Sequence, residues 1–157
     1  MLKQFVLSAL LTASGMLFAQ STLSANAPQD NPIGVADGEQ HQKLLKAIAP
    51  YIQQAKNTWP AAKAKYLKGL PLNNVFFITA ELVDMSGKRE MVFIRVEQID
   101  NGVIAGLIAN DINTVVGFRL GQKYTIAESN IWDWTISKPD GSEEGNLVGK
   151  FLDTYVP

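Results

Sequence analysis

The sequence offers one pair of carboxylates that could do acid–base chemistry, Asp111 and Asp133. Asp111 follows Asn110 at the end of an apolar run, and Asp133 lies between two tryptophans. A general acid and a general base on two sides of a cleft could hydrolyse a bound substrate. Aspartate after asparagine is equally ordinary turn chemistry, and Asp133 could be the outward residue of a strand. The sequence favours this structural interpretation, and we assign no catalytic residue.

Trp132 and Trp134 alternate with Asp133, so a strand over residues 131–137 would place both rings on one face. Two tryptophans on one face can stack on a sugar ring or anchor a protein partner. They can equally fill the core of a small sheet domain. The sequence leaves both alternatives open.

Glu143 and Glu144, with Asp140 and Asp153 nearby, make the C-terminal quarter of the chain acidic. We expect a solvated loop here, and the functional alternative is an acidic patch that steers a basic partner. The oxygen ligands are too sparse for a calcium loop of the EF-hand type. We therefore predict no metal site in this segment.

His41 is the only histidine, and the chain has no cysteine. A histidine metal site usually has further histidine or cysteine ligands, and a catalytic triad needs a positioned nucleophile that no motif supplies here. We therefore expect His41 to be a surface residue of a helix. The glycines are not followed by the lysine and hydroxyl residue of a phosphate loop. We predict no metal and no cofactor.

The charges are nearly balanced, with 14 lysine and arginine residues against 15 aspartate and glutamate residues. A nucleic-acid-binding protein needs a basic surface, and the sequence has no basic stripe. We therefore exclude a nucleic-acid partner.

The N-terminus has the three-part pattern of a secretory signal peptide. Lys3 precedes an apolar run over residues 5–19, and small residues follow. We expect residues 1–27 to be removed, after Ala19, Ala25 or Ala27, and residues 28–38 to form a flexible mature N-terminus. The expected location is the periplasm, with secretion into the medium as the alternative and no membrane anchor after cleavage.

Residues 39–157 are predicted to form one α+β domain. Apolar residues recur at three- and four-residue steps over residues 39–70, and Pro50 and Pro60 predict a division into two or three short helices. The sheet is predicted over residues 75–137, with strands at 75–83, 90–99, 103–109, 123–127 and 131–137. Residues 138–157 form a C-terminal segment with an apolar cluster.

The Asn101-Gly102 pair predicts a two-residue hairpin, which would place Ile99 opposite Ile104 and Arg95 opposite Ile108. One face of this hairpin is apolar and the other is mixed. We therefore expect short N-terminal helices packed on a strongly bent antiparallel sheet of about five strands, or a partly open barrel.

Several short motifs occur in a particular order between residues 76 and 151. They are Val92-Phe-Ile-Arg-Val96, Gly102-Val-Ile-Ala-Gly-Leu-Ile-Ala-Asn110-Asp111, Gly117-Phe-Arg-Leu-Gly121, Ile131-Trp-Asp-Trp134, and Asp140-Gly141 with Gly145-Asn146. In this order they resemble the YegJ-like family of bacterial domains of unknown function. Two residues depart from that family's pattern, Phe93 in place of tryptophan and Ile112 in place of proline. The resemblance implies a fold and shared loop geometry, and it implies no reaction.

Three functions are compatible with these patterns. The first is a non-enzymatic periplasmic protein that binds another envelope protein, such as an inhibitor or an immunity protein against an envelope-targeting toxin. The second is a glycan or peptidoglycan-fragment binding module that uses Trp132 and Trp134. The third, which the sequence favours least, is a carboxylate-dependent hydrolase. The residues that could serve binding are Trp132, Trp134, Asp133, Asn110, Asp111, Glu143 and Glu144.

Overall fold

The fold is taken from a computed structural model, which describes residues 34–35 and 38–155. The predicted signal peptide and its alternative cleavage sites lie outside the described residues. The elements follow in the order β1 (Gly34–Val35), α1 (Glu39–Lys68), β2 (Val75–Val83), β3 (Arg89–Asp100), β4 (Val103–Ile108), β5 (Lys123–Ala127), a 3-10 turn (Glu128–Asn130), β6 (Asp133–Ser137), β7 (Glu143–Gly145) and α2 (Leu147–Leu152).

The α+β class is confirmed: one long helix packs on an open antiparallel sheet. The strand order is β5-β4-β3-β2-β6-β7, and β1 pairs with β3. The described residues thus form seven strands where the sequence predicted about five. The two strands that were missed, β1 and β7, have two and three residues. Strands of two or three residues are too short to show the alternation of polar and apolar residues by which a strand is predicted.

Strand β1 lies within the segment predicted to be flexible, residues 28–38, most of which lies outside the described residues. Gly34 pairs with Glu90 and Val35 with Arg89, at the beginning of β3. The ladder between β3 and β4 begins only at Ile94, so this part of β3 has a free edge. An extended segment that supplies backbone partners at a free edge becomes part of the sheet.

Helix α1 is a single helix of 30 residues, so the predicted division into two or three helices is wrong. Pro50 and Pro60 both lie inside it and both are exposed. A proline removes one backbone donor and crowds the preceding turn. The helix nevertheless continues because its apolar face is buried on both sides of each proline, at Leu44, Ile48, Ala55, Trp59 and Ala62. The predicted end is correct: Gly69 has a positive φ of 99°, and its N–H donates to the carbonyl of Tyr66.

The β3–β4 hairpin is in the predicted register only near its turn. Ile99 pairs with Ile104 as predicted, but Arg95 pairs with Leu107 rather than with Ile108. The cause is a bulge between Val96 and Gln98, which shifts the register by one residue.

The bulge needs a glycine opposite it. Val96 pairs with Gly106, where a Cβ atom would lie 2.2 Å from the carbonyl oxygen of Arg95. The bulge also brings Val96 and Ile99 into the same hydrophobic cluster, although they are three positions apart. A regular strand would put them on opposite faces.

Two hydrophobic clusters hold the helices on the sheet. The larger one joins the C-terminal half of α1 to β2, β3, β4 and β6, and Phe76 stacks between Trp59 and Tyr66 at its centre. The smaller one joins the N-terminal half of α1 to Met91 and to α2. In it the rings of Tyr51 and Phe151 stack with their centres 4.4 Å apart.

Polar contacts fix α1 to the far edge of the sheet as well. Glu128, just after β5, accepts hydrogen bonds from Trp59 Nε1 at 2.9 Å and from Lys63 Nζ at 2.6 Å. Helix α1 therefore contacts elements from both edges of the sheet. Although α1 is long, its faces are too polar for a bilayer, and within residues 38–155 no helix combines the length and apolar character needed to cross a membrane.

Candidate functional site

Trp134 belongs to the core. Its ring is buried against Phe76, and its Nε1 donates to Thr58 Oγ1 of α1 at 3.0 Å. A buried tryptophan with a satisfied N–H fills space and fixes neighbouring elements. Of the two alternatives for this residue, the structure shows the core position.

Trp132 is partly buried in a different cluster from Trp134, together with Leu44, Met91 and Val148. The expectation of one shared face required a strand from residue 131, but β6 begins only at Asp133. Because Trp132 precedes the strand, strand alternation does not govern its direction. The two rings therefore do not form one aromatic platform.

Asp133 is a buried acceptor for backbone amides. Its Oδ1 accepts the N–H of Trp134 at 2.7 Å, and its Oδ2 accepts the N–H of Val148 at 2.6 Å. Burial raises the pKa of Asp133 to about 6, and these two amides oppose the rise. The side chain joins β6 to the beginning of α2.

Asp111 lies in a different environment from Asp133. It is exposed, and the neighbouring Asn110 accepts the N–H of Phe93 at 2.7 Å and donates to the carbonyl of Asp111 at 2.8 Å. Phe93 pairs with Thr79, and Thr79 pairs with Asp133. The backbones of residues 110 and 133 are thus about three strand spacings, or roughly 14 Å, apart along the sheet. The structure does not bring the two carboxylates to one cleft.

Glu143 and Glu144 both have partners. Glu143 accepts a hydrogen bond from Asn146 Nδ2 at 2.8 Å. Glu144 forms ion pairs with Lys65 of α1 and with Lys138, and these ammonium groups lower the pKa of Glu144. Within the predicted acidic patch, Glu144 is therefore neutralised by the protein's own lysines.

His41 is buried, so its prediction as a surface residue is wrong. Its Nε2 lies 3.5 Å from Glu81 Oε1, and Glu81 also accepts a 2.6 Å contact from Arg89. The sequence did carry a signal, because His41 stands three positions before Leu44, on the apolar face of the helix. His41 was predicted to face solvent because it is a single polar residue at the end of an apolar stripe.

The turn between β2 and β3 is organised by one carboxylate. Asp84 Oδ1 accepts the N–H and the hydroxyl of Ser86, at 2.8 and 2.7 Å, and the N–H of Lys88 at 3.1 Å. Its Oδ2 accepts the N–H of Val116 at 3.0 Å. The Ser86 hydroxyl and the Val116 amide lower the pKa of Asp84 to about 2.

A second carboxylate holds the loop between β4 and β5. Glu90 is 1% exposed, and it accepts the successive N–H groups of Asn113, Thr114 and Val115 at 2.9, 2.8 and 3.1 Å. A carboxylate is costly to bury unless hydrogen bonds replace its hydration. Here that cost is offset by three backbone donors, which fixes the loop against the beginning of β3.

We name as the loop tip Val83, the turn at residues 84–88 and the loop at residues 113–116. Four successive amides, from residues 113 to 116, point at the carboxylates of Glu90 and Asp84. Three apolar side chains nevertheless face solvent on this fixed backbone: Val83 is 44% exposed, Val116 73% and Met85 completely. The loop tip is thus a rigid, exposed apolar surface.

The residue types of the sequence predict the turn at residues 84–88 but not the loop tip. The partners of Asp84 and Glu90 lie 32 and 23 to 25 positions further along the chain, so no local pattern predicts them. The described residues contain no group of three or more histidine, aspartate or glutamate side chains arranged to hold a metal ion. The chemistry available at the loop tip is therefore apolar contact.

Residues 41–152 match one family model, described as "Uncharacterized protein conserved in bacteria (DUF2314)". The match covers nearly all of the described domain, from His41 to the end of α2. Neither the curated proteins nor the solved structures contain a match.

Proposed function

Because the chain belongs to the bacterial DUF2314 family, a family of uncharacterized proteins, we propose a function from the geometry of its surface. The proposed function is a non-enzymatic protein-binding domain that acts in the periplasm after removal of a signal peptide. The motifs quoted above fall inside the matched residues, and we place the chain in the YegJ-like group of this family.

One observation carries the proposal: the loop tip exposes apolar side chains on a backbone that buried and charged acceptors hold rigid. Apolar side chains that are exposed together on one surface often mark an interaction site, whereas single exposed ones are ordinary. A rigid loop also loses little conformational entropy when it binds, which favours affinity. Met85 and Val116 are therefore the side chains that we expect to enter an apolar pocket of the partner.

The other two functions receive less support. A glycan platform would need both tryptophan rings on the surface, whereas Trp134 is buried and Trp132 packs in another cluster. A hydrolase would need Asp111 and Asp133 across one cleft. We favour as partner a protein of the cell envelope with a groove that the loop tip can fill, such as an envelope-targeting toxin.

The test uses the full-length chain with a C-terminal affinity tag, captured from a bacterial envelope extract. The informative variant is Met85→Asp/Val116→Asp, which places two charges in the proposed apolar contact. Val103→Asp is the matched control, because Val103 is an exposed apolar residue outside the loop tip. All variants are first checked for native circular dichroism and melting temperature.

We expect one stoichiometric partner with the native chain and with Val103→Asp, and its loss with the loop-tip variant. The captured protein is then purified and titrated against the native chain, where binding with the same variant pattern is required. Equal capture by all three proteins, or no binding between purified components, would contradict the proposal.

The mass of the mature protein from a periplasmic fraction tests export and identifies the cleaved bond.

A further inference from the structure

A second surface lies at the opposite end of β2 from the loop tip. It is a groove of about 730 Å³ between the C-terminal end of α1 and the β6–β7 hairpin. The nine residues of β2 separate the two surfaces by roughly 27 Å. The groove therefore belongs to neither the loop tip nor the buried side chains described above.

The groove has an apolar floor and a basic rim. We call floor the apolar lining of the groove, which consists of Leu70, Pro71, Ile136 and Pro139. Its volume lies within the range of about 300–1,000 Å³ that is typical of small-ligand sites. Such a site can accept an aliphatic side chain and a few polar groups beside it.

Three lysines surround this floor: Lys65, Lys68 and Lys138. Glu144 pairs with two of them, from α1 on one side and from the hairpin on the other. Lys68 has no carboxylate within ion-pair distance among the described residues. Asp140 is engaged in its own turn, where it accepts the hydroxyl and the N–H of Ser142. The groove therefore has more positive than negative charge.

The ion pairs of Glu144 indicate that the lysines around the groove can bind a carboxylate. Its carboxylate lies between the ammonium groups of Lys65 and Lys138, on side chains that remain partly exposed. An incoming carboxylate could replace it at the same two groups, because solvent-exposed ion pairs exchange at little cost. Lys68 provides a further cationic group for a second carboxylate.

We propose that this groove binds a short acidic peptide segment of a partner protein. Carboxylates of the segment pair with Lys68 and Lys138, an aliphatic side chain packs on Leu70, Pro71 and Pro139, and Glu144 competes as an internal carboxylate. The proposal is independent of the loop tip, and either surface can function without the other.

The test measures the binding of the peptide Glu-Leu-Glu-Leu-amide, with a rhodamine dye on its N-terminus, to the full chain by fluorescence anisotropy at low salt. Peptides with glutamine or lysine in place of glutamate are the charge controls. We expect saturable binding of the acidic peptide alone, with a loss of about tenfold in affinity between 25 and 250 mM NaCl, because salt screens exposed charges.

Substitutions of the charged residues of the groove test the proposal more specifically. Lys68→Ala and Lys138→Ala should each weaken binding by about five- to tenfold, whereas Glu144→Gln should strengthen it by about threefold, because it removes the internal competitor. Lys123→Ala is the matched control, since Lys123 is an exposed lysine outside the groove. It should leave affinity unchanged.

Four outcomes would overturn the proposal. Three of them are equal binding of the acidic and glutamine peptides, equal effects of Lys68→Ala and Lys123→Ala, and weaker binding by Glu144→Gln. Displacement of the peptide by inorganic phosphate as effectively as by excess unlabelled acidic peptide would show a general anion surface and would also overturn it. Neither the loop-tip variant nor its control should change these affinities.

Discussion

The two ends of β2 use carboxylates in opposite ways. At the loop tip, Glu90 and Asp84 accept hydrogen bonds from backbone amides, so they fix the path of a loop. At the groove, Glu144 pairs with the ammonium groups of Lys65 and Lys138, whose side chains are partly exposed. The loop tip is therefore built to keep one shape.

These two arrangements suit different kinds of contact. A carboxylate that satisfies buried amides cannot leave without orphaning its donors, which costs about 1–3 kcal/mol for each unsatisfied group. A carboxylate in an exposed ion pair contributes only about 0–1 kcal/mol and can be replaced by another anion. A rigid surface suits a fixed apolar contact, and an exchangeable one suits a charged ligand.

The largest expected effect is at Glu90. Replacing Glu90 with alanine should lower the free energy of unfolding by about 3 kcal/mol, because the amides of residues 113–115 lose their acceptor. Chemical denaturation measures the change. Glu90→Gln keeps one acceptor oxygen and should fall between alanine and the native chain. A loss below 1 kcal/mol for Glu90→Ala would show that the loop does not depend on this carboxylate.

The next effect concerns Asp133, a buried carboxylate with amide donors like Glu90. Its pKa is raised to about 6, above the usual value of 3.8, so between these two pH values the folded chain holds a proton that the unfolded chain has released. Stability should therefore fall as pH rises through this range and stay constant above it, by roughly 3 kcal/mol from this group.

Asp133→Asn removes the titrating group and provides the control. The difference in unfolding free energy between the native chain and Asp133→Asn should change between pH 4 and 6 and be flat above pH 7, while contributions from the other acids cancel. Parallel stability curves for the two proteins would mean that the amides of Trp134 and Val148 outweigh burial.

A much smaller effect is expected at the groove. Glu144→Gln should change the free energy of unfolding by less than about 1 kcal/mol, because its ion pairs are solvent-exposed. The same denaturation experiment as for Glu90→Ala measures it. A loss as large as that of Glu90→Ala would remove the distinction between the two ends of the molecule.

The smallest effect is local and concerns Asp84. Because its pKa is lowered to about 2, its hydrogen bond to the amide of Val116 should persist to low pH and be lost only as pH falls from 4 towards 2. The chemical shift of the Val116 amide should follow that titration, and Asp84→Asn should abolish it. A midpoint near 4 would show that the turn and the loop are not coupled through Asp84.

The residue types along the chain predict most of the helices and strands. Features that depend on contacts between residues distant in the sequence are not predicted. The Asn101-Gly102 turn and the β5 strand were read directly from residue types. The bulge beyond Val96 was missed because an inserted residue leaves the polar and apolar composition unchanged. The prolines of α1 suggested helix ends that tertiary packing overrides.

The candidate site was the least predictable part. The position of Trp134 is ambiguous in the sequence because burial depends on what covers β6. The cover is the C-terminal half of α1, where the hydrogen-bond partner Thr58 is 76 positions away. Glu143 and Glu144 suggest an acidic patch because the two lysines that pair with Glu144 are remote in sequence or lie across the hairpin. Asp84 was correctly placed in a turn, but its contact with Val116 follows only from the folded chain.

The stacking of Tyr51 on Phe151 determines how late in synthesis the smaller hydrophobic cluster can form. These rings lie 100 positions apart, so the smaller hydrophobic cluster cannot form until almost the whole polypeptide is available. Contacts of such long sequence separation slow folding. The smaller hydrophobic cluster, and with it the docking of α2 on α1, is therefore completed only after residue 151 has been synthesised.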